Sequence, residues 1–87
     1  MIKKSYILKS DSGLSSRISA SLVSYANRFN SQIILYYNGE EANLKSIMNV
    51  MALVIRNNEG FDISFSGEDE LEASESLNQY MLNLGII

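Results

Sequence analysis

Residues 32–39 read Q-I-I-L-Y-Y-N-G, and this stretch constrains the fold more tightly than any other. A short run so rich in β-branched and aromatic residues favours a strand buried on at least one face. It stops at Asn38-Gly39, the pair best suited to a type I′ turn, whose two central residues both need positive φ. A return strand over 40–43 follows, so the chain must contain an antiparallel hairpin.

The flanking sequence decides what packs on that hairpin. Residues 2–8 place Ile2, Tyr6 and Leu8 on one face and Lys3, Ser5 and Ile7 on the other, a strand pattern that Asp11-Ser12-Gly13 breaks. From Ser16 onward, Ile18, Leu22, Tyr25, Ala26 and Phe29 recur at helical spacing, which predicts an amphipathic helix ending near 27–30. Ser46 is placed to cap a helix over 47–54, and Asn57 to Gly60 reads as a loop. Phe61, Ile63 and Phe65 alternate with Asp62, Ser64 and Ser66, as in a strand with one wet face. Residues 68–84 carry Leu71, Leu77, Met81 and Leu84 at helical spacing behind an acidic first turn, and Gly85 stands where a C-cap belongs. The order β-α-β-β-α-β-α predicts an α+β architecture in which helices cover one face of an antiparallel sheet. Eighty-seven residues without proline fit one domain spanning 1–87.

Composition narrows the chemistry. The chain has no cysteine and no histidine, which removes thiolate chemistry, the commonest general base and the commonest transition-metal ligand. No cofactor is expected. A net charge of −3 argues against direct nucleic-acid binding. The start, M-I-K-K-S-Y-I-L-K-S, lacks the apolar core of a signal peptide, and no apolar run approaches the ~20 residues of a membrane span. A cytoplasmic protein without membrane contact is the expectation. Glu40, Glu41, Glu68, Asp69 and Glu70 are clustered acids, but they fall at a turn and a helix start with no nucleophile–base pair beside them, so no enzyme activity is expected.

Two stretches carry functional signals. In S-G-L-S-S-R-I-S, residues 12–19, Ser15 or Ser16 can cap the helix, and the free N–H groups with Arg17 make an anion site conceivable. A plain cap beside a solvated arginine accounts for the same residues. In residues 47–54, seven of eight positions are apolar, more than one buried stripe can hold. Some of Ile47, Met48 and Met51 should therefore stay exposed as a docking patch. A phosphoryl group on Ser46 would sit at the positive end of that helix, where a dianion is stabilised.

These motifs, S-G-L-x-x-R at 12–17, R-F-N-S at 28–31, Asn38-Gly39 and above all N-L-K-S-I-M-x-V-M at 43–51, resemble the HPr family, phosphocarriers of the bacterial sugar phosphotransferase system. The resemblance runs nearly end to end. It implies an open-faced sandwich, a four-stranded antiparallel sheet with three helices on one side. It also implies that Ser15 occupies the place of the phosphocarrier histidine and Ile18 that of a usual proline, while Arg17 is retained. Ser46 then matches the serine modified by HPr kinase/phosphorylase, and Arg17, Ile47, Met48 and Met51 match the surface read by partners such as catabolite control protein A. The histidine-lacking paralogue Crh keeps that serine, although glutamine is typical where this chain has Ser15. Asn49 replaces a usual glycine, and Val54 stands where glycine or alanine is common. A phosphorylated regulatory protein is the leading expectation. The alternatives are a pseudo-carrier that binds enzyme I or EIIA without phosphotransfer, and a residual phosphoacceptor at Ser15.

Overall fold

In the computed structural model, which describes residues 1–87, Asn38 and Gly39 adopt φ of 50° and 80°, the left-handed pair that a two-residue hairpin demands. They join β2 (Gln32–Tyr37) to β3 (Glu40–Asn43), with Tyr37 opposite Glu40 and Leu35 opposite Ala42. β1 (Ile2–Ile7) and β4 (Gly60–Ser66) complete a four-stranded antiparallel sheet in the order β1-β4-β2-β3. α1 (Ser16–Ala26), α2 (Ile47–Met51) and α3 (Glu70–Leu84) fill the remaining places in the expected order. The molecule is an α+β open sandwich. No helix is long and apolar enough to cross a membrane.

β4 lies inside the sheet and contributes Phe61, Ile63 and Phe65 to a single cluster of 18 buried apolar residues. Leu22 and Ala26 of α1, Val50 of α2, and Ala73, Leu77 and Met81 of α3 close the cluster from the helical side. Tyr25 and Tyr80 stack with ring centroids 4.1 Å apart and locate α1 against α3.

Three elements depart from the sequence reading. The helix expected over 47–54 ends at Met51, with Ala52 as its C-cap. Beyond it Leu53 and Ile55 are buried while Val54 is exposed, so the chain changes from helical to alternating burial within a few residues. In α3 the buried face is Ala73, Ser74, Leu77 and Met81, whereas Leu71 and Leu84 are exposed, because small residues let the helix approach the core closely. In β4 the wet face is interrupted at Ser64, which is buried beside Tyr36 and donates to its hydroxyl over 3.3 Å.

The start of α3 is tied to the start of β2 by Asp69. Its carboxylate accepts the backbone N–H of Asn30 and of Ser31, each at 2.9 Å, together with the Ser31 hydroxyl. The Ser31 hydroxyl bond, followed by the Asn30 amide bond, holds the Asp69 pKa below its ordinary value. Glu70 is lowered chiefly by the Gly67 N–H, and Glu59 chiefly by the Tyr37 hydroxyl. A carboxylate whose folded pKa is depressed contributes stability that is complete above its unfolded pKa and lost as pH falls through the folded value. Urea midpoints measured across pH should therefore fall as pH drops below about 4. Asp69→Asn should lower the midpoint at neutral pH and flatten that acid limb. An unchanged acid limb in Asp69→Asn would contradict the assignment.

Candidate modification and docking site

Two hydrogen bonds fix how α1 and α2 lie together. Lys45 Nζ donates to the Phe29 carbonyl over 2.5 Å, and Asn27 Nδ2 donates to the Lys45 carbonyl over 3.2 Å. Both join the C-terminal end of α1 to the N-terminal end of α2. At the other end, the Leu14 N–H donates to the Ile55 carbonyl over 2.9 Å. The helices therefore run side by side in opposite directions, with Ser15 and Ser46 at opposite ends of the pair.

Each serine is an N-cap. Ser15 Oγ accepts from the Ile18 N–H at 3.3 Å, which selects Ser15 over Ser16, and Ser46 Oγ accepts from the Asn49 N–H at 3.4 Å. Both are part-exposed. Neither hydroxyl has a carboxylate or other base as a hydrogen-bond partner, so neither is activated from within the chain. Arg17, in the first turn of α1, is exposed and makes no ion pair, the one ion pair in the molecule being between the Met1 amino group and Glu70 at 3.1 Å.

Ile47, Met48 and Met51 project from one side of α2 while Val50, on the other side, is fully buried. All three are exposed, Met48 to 80%. Val54, at 69% exposure, lies past the helix end beside Ile55, whose carbonyl accepts the Leu14 N–H of the loop that carries Ser15. The sequence singled out the first three residues; Val54, past the end of the helix, is exposed as well. A shallow depression is lined by residues 11–14, just ahead of Ser15, and by residues 54–57. Behind it, Glu59 Oε1 accepts the Tyr37 hydroxyl at 2.6 Å and the Arg56 N–H at 2.8 Å, bracing the return into β4. That hydrogen bond to a carboxylate raises the Tyr37 pKa and lowers that of Glu59.

The family model described as PTS HPr component phosphorylation site matches residues 2–83. The histidine-containing phosphocarrier protein of Mycoplasma is 35% identical, with a TM-score of 0.94 over 99% of this chain and 98% of that one. HPr of Bacillus anthracis str. Ames is also 35% identical, with a TM-score of 0.83 over 91% of this chain and 94% of that one. Crh, the Bacillus subtilis catabolite repression protein solved as a swapped dimer, is 35% identical, with a TM-score of 0.74 over 95% of each chain. This chain belongs to the HPr family of the phosphotransferase system. It has the fold of that phosphocarrier family, Crh among its relatives, in a sequence that contains no histidine.

Gly13 shows how tightly the Ser15 loop is held. Its φ is +68°, and a Cβ there would lie 2.6 Å from the Ile55 carbonyl oxygen, a backbone atom that cannot step aside. Gly13→Ala should therefore cost about 1–3 kcal/mol from backbone strain, read as a lower urea midpoint. It should also loosen hydrogen exchange at the Leu14 amide. Full stability in Gly13→Ala would show that the loop is not anchored on Ile55.

Proposed function

We propose that this chain is a regulatory member of the HPr family that does not carry phosphate to other proteins. It is switched by phosphorylation of Ser46 and acts by protein–protein contact through Arg17, Ile47, Met48 and Met51. The observation that supports this reading most is the juxtaposition of a part-exposed cap serine with an exposed apolar patch, in a chain without histidine. Ser15 takes the family's histidine position. A phosphoramidate on imidazole is a good phosphoryl donor, whereas a serine ester is a poor one, so a phosphate on Ser15 would stay where it was placed.

At Ser46 a stable ester is an advantage, since a switch must persist until it is read. The phosphoryl group adds roughly −1.5 to −2 charges and three acceptor oxygens at the N-terminal end of α2. Those oxygens remain compatible with the cap, because Ser46 Oγ already acts there as an acceptor. A partner that presents arginine to the phosphate and an apolar pocket to Met48 would read both features together. HPr kinase/phosphorylase is the proposed modifier and catabolite control protein A, or a similar regulator, the proposed reader, in the cytoplasm. The exposed and unpaired Arg17 beside the Ser15 cap favours one second reading, a pseudo-carrier that occupies enzyme I or an EIIA domain without phosphotransfer.

Calorimetric titration into catabolite control protein A separates these readings. Kinase-treated wild type should bind, and Ser46→Ala put through the same treatment should behave as the untreated protein does. Kinase-treated Met48→Ala should bind about tenfold more weakly, the loss of about 1.4 kcal/mol expected of a central contact. Equal binding by Ser46→Ala and modified wild type would sink the switch. Tight binding of the unmodified chain to enzyme I or EIIA alone would favour the pseudo-carrier.

A further inference from the structure

The two edges of the sheet carry opposite charge. β1 and β3 are its outer strands, and no further strand is hydrogen-bonded to either. β1 holds Lys3 and Lys4, β3 holds Glu40 and Glu41, and all four side chains are exposed. None of them is in an ion pair, because the single ion pair of the molecule joins Met1 to Glu70. Lys3 instead rests its ammonium 4.5 Å from the centroid of the Tyr36 ring, an exposed contact that can be exchanged for another.

Strand direction and face also match between the edges. Every neighbouring pair in the sheet is antiparallel, so β1 and β3 themselves run in opposite directions. A second copy in the same orientation, with its β3 beside β1, would continue the alternation. In that arrangement, setting Lys3 opposite Glu41 also sets Lys4 opposite Glu40 and Ile2 opposite Ala42. The faces agree at each step. Ala42 is buried and Ile2 packs against the core, so both belong to the helical side. Glu41 lies opposite Tyr36, whose ring Lys3 covers, so both of those belong to the open side. A shift by one residue would put each side chain against the wrong face. A shift by two would remove both charge pairs.

We propose that this chain associates with copies of itself head to tail, β1 of one molecule adding to β3 of the next in this register. Lysines on an edge strand ordinarily keep edges apart. Here they do so for a β1–β1 contact, as the glutamates do for β3–β3, which leaves β1–β3 as the complementary pairing. The contact is heterologous, so repetition gives an open chain of molecules rather than a closed dimer. β3 has only four residues, so the contact is small and the association weak and sensitive to salt. The register pairs residues 2–4 with 40–42 and draws on none of Ser46, Ile47, Met48 or Met51, so it stands independently of the proposed switch.

Sedimentation velocity of the full chain tests this. At low ionic strength the mean sedimentation coefficient should rise with concentration, up to about millimolar levels, and return to the monomer value near 1 M salt, where the screening length is about 3 Å. The double variant Lys3→Glu, Lys4→Glu and the double variant Glu40→Lys, Glu41→Lys should each remain monomeric alone. Their equimolar mixture should recover association, because each then offers an edge of the sign that the other lacks. If circular dichroism shows either double variant to be unfolded, Lys3→Glu and Glu41→Lys, on the open face, serve for the same mixing test. A wild type that stays monomeric at low salt would overturn the proposal. So would association that salt does not reverse, such as exchange of a whole strand, or a mixture no more associated than its components.

Discussion

Three helices must share one face of a four-stranded sheet, and the arrangement of the rest follows from that crowding. α3 with 15 residues and α1 with 11 take most of the available area. α2, with five residues between β3 and α1, places one side chain, Val50, in the core. A helix that short is not stable alone. It is held by the Ser46 cap, by the Lys45 and Asn27 bonds to its neighbour, and by burial of Val50, worth about 1.5–3 kcal/mol. With a single inward position, Ile47, Met48 and Met51 have nowhere to go but outward. The exposed apolar surface is thus a consequence of how the sheet is covered.

Local chemistry made much of this legible in advance. Asn38-Gly39 specified the hairpin because the turn needs two positive φ angles, and Leu22, Tyr25 and Ala26 defined α1 through their spacing. The end of α2 was not legible. Residues 50–55 are apolar without interruption, so the change from helical to alternating burial after Met51 leaves no mark in hydrophobicity. Nor was the inner face of α3, where Ala73 and Ser74 sit inside and Leu71 outside, because close packing there selects size over hydrophobicity. Ser64 was misread for a similar reason: whether a serine is wet depends on Tyr36, a residue of another strand. At the candidate site, residue types pointed correctly to a cap and an exposed patch. The exposure of Val54 between buried Leu53 and Ile55 was not legible, because it follows from the chain leaving the helix after Met51.

The contrast between a carrier and a switch lies in the lifetime of the phosphorylated state. A carrier needs a labile bond on a group that gives its phosphate away. A switch needs a stable bond beside a surface that a partner recognises. In this chain both candidate hydroxyls are aliphatic alcohols without an internal base, and both cap helices. The features that distinguish them are external to the hydroxyls. Ser46 adjoins the exposed Ile47–Met48–Met51 surface, whereas Ser15 adjoins Arg17 and the Gly13 loop. The proposed function follows from that difference in surroundings.

The most direct measurement is intact mass with peptide mapping after two parallel incubations, one with ATP and an HPr kinase, the other with phosphoenolpyruvate and enzyme I. The account predicts a single phosphate on Ser46 from the first and none from the second. Phosphate on Ser15 from phosphoenolpyruvate would contradict it. So would an unmodified chain after treatment with a kinase that modifies an ordinary HPr.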